Sequence, residues 1–371
     1  MKECLIIMPI LFRGGSEKQM RYVIEAISEK DLPLTVLVES SDKSMNNEEV
    51  AYAEKYSNVN FVFLRTGAVD AKYTNSVKKY WAKFLSLIKI LKTTRGLIKK
   101  NRIGIVMVTN LTGLVLLPWF KMHGCQVVYN ERNPGIKVCD SRWKRALLKR
   151  CKKLVCNSKY ASEYMMKILG REVEVINNGI QEINVVPTLL ENDGIFRIIV
   201  PARISHVKNQ KLILEAINIL KETEKIKVIF AGVVEDEKYY EVLMEYCAKN
   251  KIEQFVDFVG FTNNILEYYA KCDLLVLASL EEGTPNVLLE AFMGRLKVIA
   301  SDIPMNAECM HNKKMLFSPN DAAELAQKII MMKNLNKAEQ EEFLVKNYNY
   351  VCENYSIKCM GERYIQMLYL Q

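Results

Sequence analysis

An α/β fold of two doubly wound parallel sheets is what this sequence predicts, on three observations. Short apolar runs of strand length alternate with amphipathic helical patterns along the whole chain, as in βαβ units. The alternation restarts after a polar stretch at residues 181–194 that holds Pro187 and an Glu-Asn-Asp-Gly turn. At 371 residues and 50% hydrophobic composition, the chain is long enough to bury two ordinary cores. The expected division is a first domain over 1–186 and a second over 187–349. A terminal apolar-periodic helix is expected over 350–371, and a cleft is expected between the two sheets.

The elements follow in order. Cys4 to Pro9 is an apolar strand, then come Gly14 and Gly15 and a helical pattern from Ser16 to Ser28. Strand, glycine pair and helix open a Rossmann-like unit, whose loop backbone can approach a ligand in front of the helix N–H groups; a plain turn is the competing reading. Thr35 to Glu39, Phe61 to Leu64, Ile103 to Thr109 and Gln126 to Tyr129 read as strands, the last running into Asn130-Glu131-Arg132-Asn133-Pro134. Residues 154–158 (LVCNS) and 173–180 (VEVINNGI) complete the first domain. In the second, Phe196 to Val200 leads into PARISHVKNQ, with Arg203 at a strand end and Lys208 entering a helix. Val228 to Phe230 and Val256 to Gly260 are further strands, the latter followed by Phe261 and Thr262. The most informative stretch is LLVLASLEEGTPNVLLEAFMGRLKVIAS, from Leu274 to Ser301. Leu274 to Ala278 has the length of a buried parallel strand. Thr284 suits a helix cap, Pro285 the first helical position and Gly294 the C-terminus. Glu282 in the loop and Glu290 on the helix lie eight residues apart. Glu290 stands among Leu288, Leu289, Ala291 and Phe292, so it is expected to be buried and hydrogen-bonded, either in a structural role or at a site.

Ten cysteines are scattered without a Cys-x-x-Cys pair, and several lie in apolar runs, as expected of reduced, buried thiols in a cytoplasmic protein. Three histidines, at 123, 206 and 311, argue against a histidine-based metal centre, and His123 reads as a surface residue. No run reaches transmembrane length and the N-terminus lacks the pattern of a signal peptide. The net charge of +9 is uneven: residues 1–186 carry 31 Lys and Arg against 17 Asp and Glu, whereas the remainder is net acidic. Residues 71–102 hold ten basic and no acidic side chains, with Trp81, Phe84 and Leu85 at helical spacing and Lys78, Lys79 and Lys83 close by in sequence. A second basic helix, SRWKRALLKRCKK, spans 141–153. Such faces suit an anionic membrane surface or are simply solvated; no nucleic-acid motif accompanies them.

The segment EGTPNVLLEAFMGRLKVIAS resembles the E-x7-E signature of retaining glycosyltransferase family 4, whose members share the two-Rossmann-domain GT-B fold, which implies that the terminal helix over 350–371 crosses back onto the first domain. PARISHVKNQKLILEA resembles that family's R-x4-K motif, with Ala202 where a glycine is usual. The Asn-Ser and Asn-Gly-Ile segments at 157–158 and 178–180 match as well, although Gln181 replaces the usual aspartate. The resemblance implies transfer of a sugar from a UDP- or GDP-sugar, with retention of anomeric configuration. The implied acceptor is a glycan or polyprenyl-linked glycan of capsule, O-antigen or exopolysaccharide synthesis; together with the scattered thiols and the basic first half, a cytoplasmic enzyme peripheral to the inner membrane face is expected. It implies catalytic roles for Arg203, Lys208 and Glu282. Donor contacts are implied for Gly15, Arg203, Lys208, Phe261, Thr262, Glu282, Gly283, Thr284, Pro285, Asn286, Val287, Leu288 and Glu290. On the acceptor side stand Gly14, Glu131, Arg132 and Asn133, with Arg132 or Glu131 where many members have a histidine. No cofactor and no metal are expected, since Arg203 and Lys208 can stabilise a diphosphate leaving group, and Glu235-Asp236-Glu237 reads as a solvated turn. Two other classes remain: a non-catalytic binder of sugar nucleotides, and a Rossmann oxidoreductase, disfavoured by the missing G-x-G-x-x-G fingerprint.

Overall fold

The computed structural model describes residues 2–12, 14–39, 46–64, 76–101, 103–133, 135–183, 193–262 and 264–370, with the backbone alone at 46, 76–86 and 101. The chain divides into two compact units, Met1–Gly179 with Ile357–Gln371, and Ile180–Ser356. The crossing thus falls at Gly179 rather than at 186. Most of the expected linker lies outside the described residues.

The first unit holds a parallel sheet of β1 (Glu3–Met8), β2 (Leu34–Val38), β3 (Asn60–Phe63), β4 (Ile103–Val108), β5 (Gln126–Glu131), β6 (Lys153–Cys156) and β7 (Glu174–Val175). Its strand order is β3-β2-β1-β4-β5-β6-β7. β1 is an unbroken apolar run because both faces of the sheet are covered. Leu5 and Ile7 enter one core cluster, and Cys4, Ile6 and Met8 the other. Helices α1 (Gly15–Glu29), α2 (Asn46–Lys55), α3 (Ser76–Asn101), α4 (Leu111–Val115), α5 (Leu117–Met122), α6 (Arg142–Arg150) and α7 (Lys159–Leu169) connect the strands. The Asn-Ser segment has a local role: the Ser158 side chain caps α7 by accepting from the Ala161 amide.

The second unit holds β8 (Phe196–Val200), β9 (Ile226–Ala231), β10 (Val256–Gly260), β11 (Leu274–Leu277), β12 (Lys297–Ser301) and β13 (Leu316–Phe317), in the order β10-β9-β8-β11-β12-β13. Its helices are α8 (Gln210–Leu220), α9 (Glu237–Asn250), α10 (Ile265–Lys271), α11 (Asn286–Met293), α12 (Pro304–Cys309), α13 (Ala322–Lys333) and α14 (Lys337–Tyr355). Asp236, read from sequence as part of a solvated acidic turn, is the cap of α9 and accepts from the Tyr239 amide.

The expected terminal helix over 350–371 is two helices. α14 ends at Tyr355, Ser356 is extended, and only α15 (Ile357–Tyr369) belongs to the first unit. α15 packs on α1 so closely that a Cβ at Gly361 would lie 2.5 Å from the Ala26 Cβ, so glycine is required there.

Candidate functional site

In the second unit the strand order reverses between β8 and β11. At such a switch point the loops leaving adjacent strands part company and leave a crevice beyond their carboxyl ends, the usual ligand position in open α/β sheets. The two loops are 201–209, which carries Arg203 and Lys208, and 278–285, which carries Glu282. The Leu280 amide donates to Val207 O at 2.8 Å and ties them together. The 201–209 loop is also pressed against the end of β9: a Cβ on Gly232 would sit 2.1 Å from Ala202 O.

Lys208 Nζ donates to Glu282 Oε1 at 2.5 Å, with both side chains largely buried. The same oxygen accepts from Ser279 Oγ at 2.7 Å. Behind it runs a fully buried polar chain that the motifs alone do not reveal. Ser301 Oγ donates to Ser279 O at 2.6 Å, and Asn306 Nδ2 donates to Ser301 O and Oγ at 3.0 Å. The signal for the two serines stands in the sequence: both apolar strands run out in Ala-Ser, at 278–279 and 300–301. Arg203 behaves differently. Its guanidinium is exposed and pairs with Glu235, another member of the acidic turn. Exposed pairs of this kind are worth about 0–1 kcal/mol, so a phosphate can displace the carboxylate readily.

α11 begins one residue later than its sequence suggests. Pro285 is the cap residue, without a side-chain cap bond, because the Asn286 amide turns back to Thr284 O at 2.9 Å. At the other end Gly294 has an ordinary φ of −78°, and Arg295 takes the left-handed conformation at φ 53°. Glu290 is half-buried rather than sealed in the core. Near it the Tyr269 hydroxyl is wholly buried without a hydrogen-bond partner; burial, and then the charge of Glu290, push its pKa up. Gly283, Thr284, Asn286 and Val287 are partly exposed around the crevice. Phe261 is 70% exposed, and Thr262 Oγ1 accepts from the Asn264 amide at 3.1 Å. Leu288 is not available to a ligand: its side chain lies in the core and its amide donates to Pro285 O at 3.0 Å.

In the first unit the reversal falls between β1 and β4. Gly14 and Gly15 are exposed at the start of α1. Gly14 is extended (φ −156°), a conformation open to any residue, so its own backbone does not demand glycine. Glu39, beyond β2, accepts from Asn110 Nδ2 at 2.9 Å, and burial raises its pKa to about 7. Glu131 is buried and anchors its own loop. Its Oε1 accepts from the amides of Arg132 and Asn133 at 3.0 and 2.9 Å and from Asn133 Nδ2, while Oε2 accepts from the Tyr129 hydroxyl. Burial raises the Glu131 pKa against the pull of those bonds. Arg132 is 7% exposed and points to Asn178 and Tyr364, whereas Asn133 is exposed. His123 is half-buried against Trp119, ring centroids 4.1 Å apart, and not a free surface residue.

Residues 13–182 match the family described as Glycosyltransferase Family 4, and residues 185–348 the family described as Glycosyl transferases group 1. The capsular polysaccharide biosynthesis glycosyltransferase CapH of Staphylococcus aureus is 28% identical over 145 residues, 38% of this chain and 40% of that protein. A Campylobacter jejuni enzyme is 30% identical over 137 residues, 36% of each chain. It is named N-acetylgalactosamine-N,N'-diacetylbacillosaminyl-diphospho-undecaprenol 4-alpha-N-acetylgalactosaminyltransferase. The match thus spans less than half the length of these curated relatives. Among solved structures, Anabaena HepE in complex with UDP and glucose superposes with a TM-score of 0.76 at 16% identity, covering all of both chains. Two Rossmann-like units of this topology define the GT-B class. The chain belongs to its family 4-like glycosyltransferases.

Proposed function

We propose that the protein transfers a sugar from a UDP- or GDP-sugar to a glycan or polyprenyl-linked glycan in bacterial surface-polysaccharide assembly, with retention of anomeric configuration. The observation that carries this reading is the meeting of Lys208 and Glu282, 74 residues apart in sequence, at the switch point of the second sheet. Breaking the glycosidic bond to a nucleotide diphosphate leaves negative charge on the departing oxygens and positive charge on the anomeric carbon. A fixed ammonium stabilises the first without reorganising at the moment of reaction, and a guanidinium adds a forked donor. Lys208 supplies the point charge, held in place by Glu282 and the serine chain behind it. Arg203 supplies the fork once it exchanges Glu235 for phosphate. Glu290 accepts from the ribose hydroxyls, and Glu282 accepts from hydroxyls of the donor sugar.

Fixed cations make a divalent metal unnecessary in this reading. Glu235 and Asp236, the acids nearest to a metal-binding pattern, are engaged by Arg203 and by the start of α9. That HepE carries UDP, and that the Campylobacter relative is named for a diphospho-undecaprenol acceptor, supports the choice of donor and acceptor. For docking at an anionic membrane face, the support is charge and exposure. Lys89, Lys92, Arg95, Lys99 and Lys100 line the exposed side of α3, and α6 presents Arg142, Lys149 and Arg150 beside Trp143, which is 50% exposed. No helix among the described residues is long and apolar enough to cross a membrane.

The test is nucleotide release from a panel of UDP- and GDP-sugars, with and without lipid-linked acceptors, in buffer containing EDTA. Acceptor-dependent release that survives EDTA is expected. Tight nucleotide-sugar binding without any release would leave a binding protein, and activity abolished by EDTA and restored by Mg²⁺ would remove the metal-independent mechanism.

A further inference from the structure

Arg132 sits at the carboxyl end of β5, where only 7% of its surface remains exposed. Its guanidinium makes two hydrogen bonds, both to neutral groups. Nη2 donates to Asn178 Oδ1 at 2.5 Å, and Nη1 to the Tyr364 hydroxyl at a long 3.4 Å. Nε is buried with no partner. Among the described residues no carboxylate pairs with it. Glu131, the nearest in sequence, turns away and gives both oxygens to its own loop and to Tyr129.

A buried charge without an opposite charge is among the more expensive features a fold can carry. The surroundings add to the mismatch. The Tyr364 hydroxyl accepts from Arg132 and, at 2.9 Å, from Asn130 Nδ2, and none of the described groups accepts its proton. Asn130 Oδ1 is likewise open. Three elements distant in sequence build this spot: β5, the Asn-Asn-Gly segment before the crossing, and α15. Arg132 and Asn178 also lie in the half of the chain that carries the excess of basic residues.

We infer that Arg132 is an anion-binding residue whose ligand is a phosphoryl group of the acceptor. Arg132 Nε and the Tyr364 O–H proton are left over as donors, and a buried tetrahedral oxyanion needs donors of this kind. The inference rests on the proposed acceptor class, a diphosphate-linked lipid, and gives its phosphate a seat in the first unit, separate from Arg203 and Lys208 in the second.

The experiment titrates the full-length protein with farnesyl diphosphate, a short polyprenyl diphosphate, and in parallel with UDP, by calorimetry. Four proteins are compared: wild type, Arg132→Gln, Arg132→Lys and Lys208→Ala. Arg132→Gln is expected to weaken farnesyl diphosphate at least tenfold and to leave UDP unchanged; Lys208→Ala is expected to do the reverse. Arg132→Lys, which keeps the charge and loses the fork, should fall between wild type and Arg132→Gln. Melting temperatures of the ligand-free proteins add a readout that a structural arginine would move the other way. If the charge is uncompensated, Arg132→Gln should melt no lower than wild type. Equal farnesyl diphosphate binding by wild type and Arg132→Gln would overturn the inference. So would loss of UDP alone in Arg132→Gln, which would make the anion the donor's, or a large drop in melting temperature with unchanged affinities. Where UDP binds none of the proteins, GDP takes its place in the same comparison; failure of both would count against the donor reading and leave the Arg132 comparison standing.

Discussion

At the Glu282 carboxylate one oxygen accepts from both Lys208 and Ser279, while Glu290, eight residues on, is half-buried on α11. Their surroundings predict separable roles. Glu290→Gln should weaken UDP or GDP and the corresponding nucleotide sugar alike, whereas Glu282→Gln should spare the free nucleotide and weaken only the sugar-bearing donor. Calorimetry with both ligands makes the comparison, and identical losses in the two variants would remove the distinction. For the cations, Arg203→Ala and Lys208→Ala should each lower turnover by roughly 10²–10³, the range for losing one preorganised charge-stabilising donor. A folded Arg203→Ala protein with near-normal kinetics would count against the phosphate role. Glu39 gives a pH prediction. Its carboxyl is raised from the ordinary range to about 7, chiefly by burial. Between the unfolded value and about pH 7 the folded state therefore holds the extra proton, and stability falls as pH rises through that window. Glu39→Gln keeps an acceptor for Asn110 and cannot ionise. It should be nearly neutral at pH 4 and more stable than wild type at pH 8, by at most about 3 kcal/mol. Denaturant melts at the two pH values read the difference, and parallel curves would contradict it.

Among the elements, β11, α11 and β12 stand out in the sequence because each is short, apolar and bounded by a polar or glycine-containing turn. The structure shifts their ends by about a residue only. Helix starts are less legible: Thr284 looks like a cap, but its carbonyl is used by the Asn286 amide, a backbone choice that residue type does not announce. The end of α14 is similar, since α14 and α15 share a helical pattern and nothing at Ser356 says that its neighbours belong to different units. α3 and α6 carry an element-scale prediction. Packing of Ile90, Leu87, Leu91 and Leu148 on the core accounts for the apolar sides of these helices. It does not account for α6 exposing Trp143 among Arg142, Lys149 and Arg150. Each Lys or Arg near an anionic surface is worth about 1 kcal/mol, so four or five together suffice for reversible docking. Liposome flotation should show binding that requires anionic lipid and fades with salt. Charge reversal at Lys92, Arg95 and Lys149, or Trp143→Ala, should reduce it. Equal recovery with neutral and anionic vesicles, or none with either, would leave both helices as solvated faces.

Across the whole molecule, both sheets begin with the same arrangement, in which the first and fourth strands are neighbours and the order reverses between them. Alternating strand and helix patterns made that fold legible, and the E-x7-E and R-x4-K spacings marked the loops of the second sheet. What they could not convey is which side chains meet. Lys208 reaches Glu282 across 74 residues, and Arg132 reaches Tyr364 across 232; strand order and helix packing bring them together, and no local pattern encodes either pair. The buried chain through Ser279, Ser301 and Asn306 is hidden for the same reason, since a serine at a strand end is ordinary until its neighbours are known. The central claim is that the switch point of the second sheet is the nucleotide-sugar site. Calorimetric titration of the wild-type and Lys208→Ala proteins with UDP and with GDP tests it most directly. One of the two nucleotides should bind wild type with one-to-one stoichiometry, and Lys208→Ala should weaken it by about 1.5–3 kcal/mol, the usual worth of a hydrogen bond to a charged group. Binding of neither nucleotide, or the same affinity in both proteins, would contradict it.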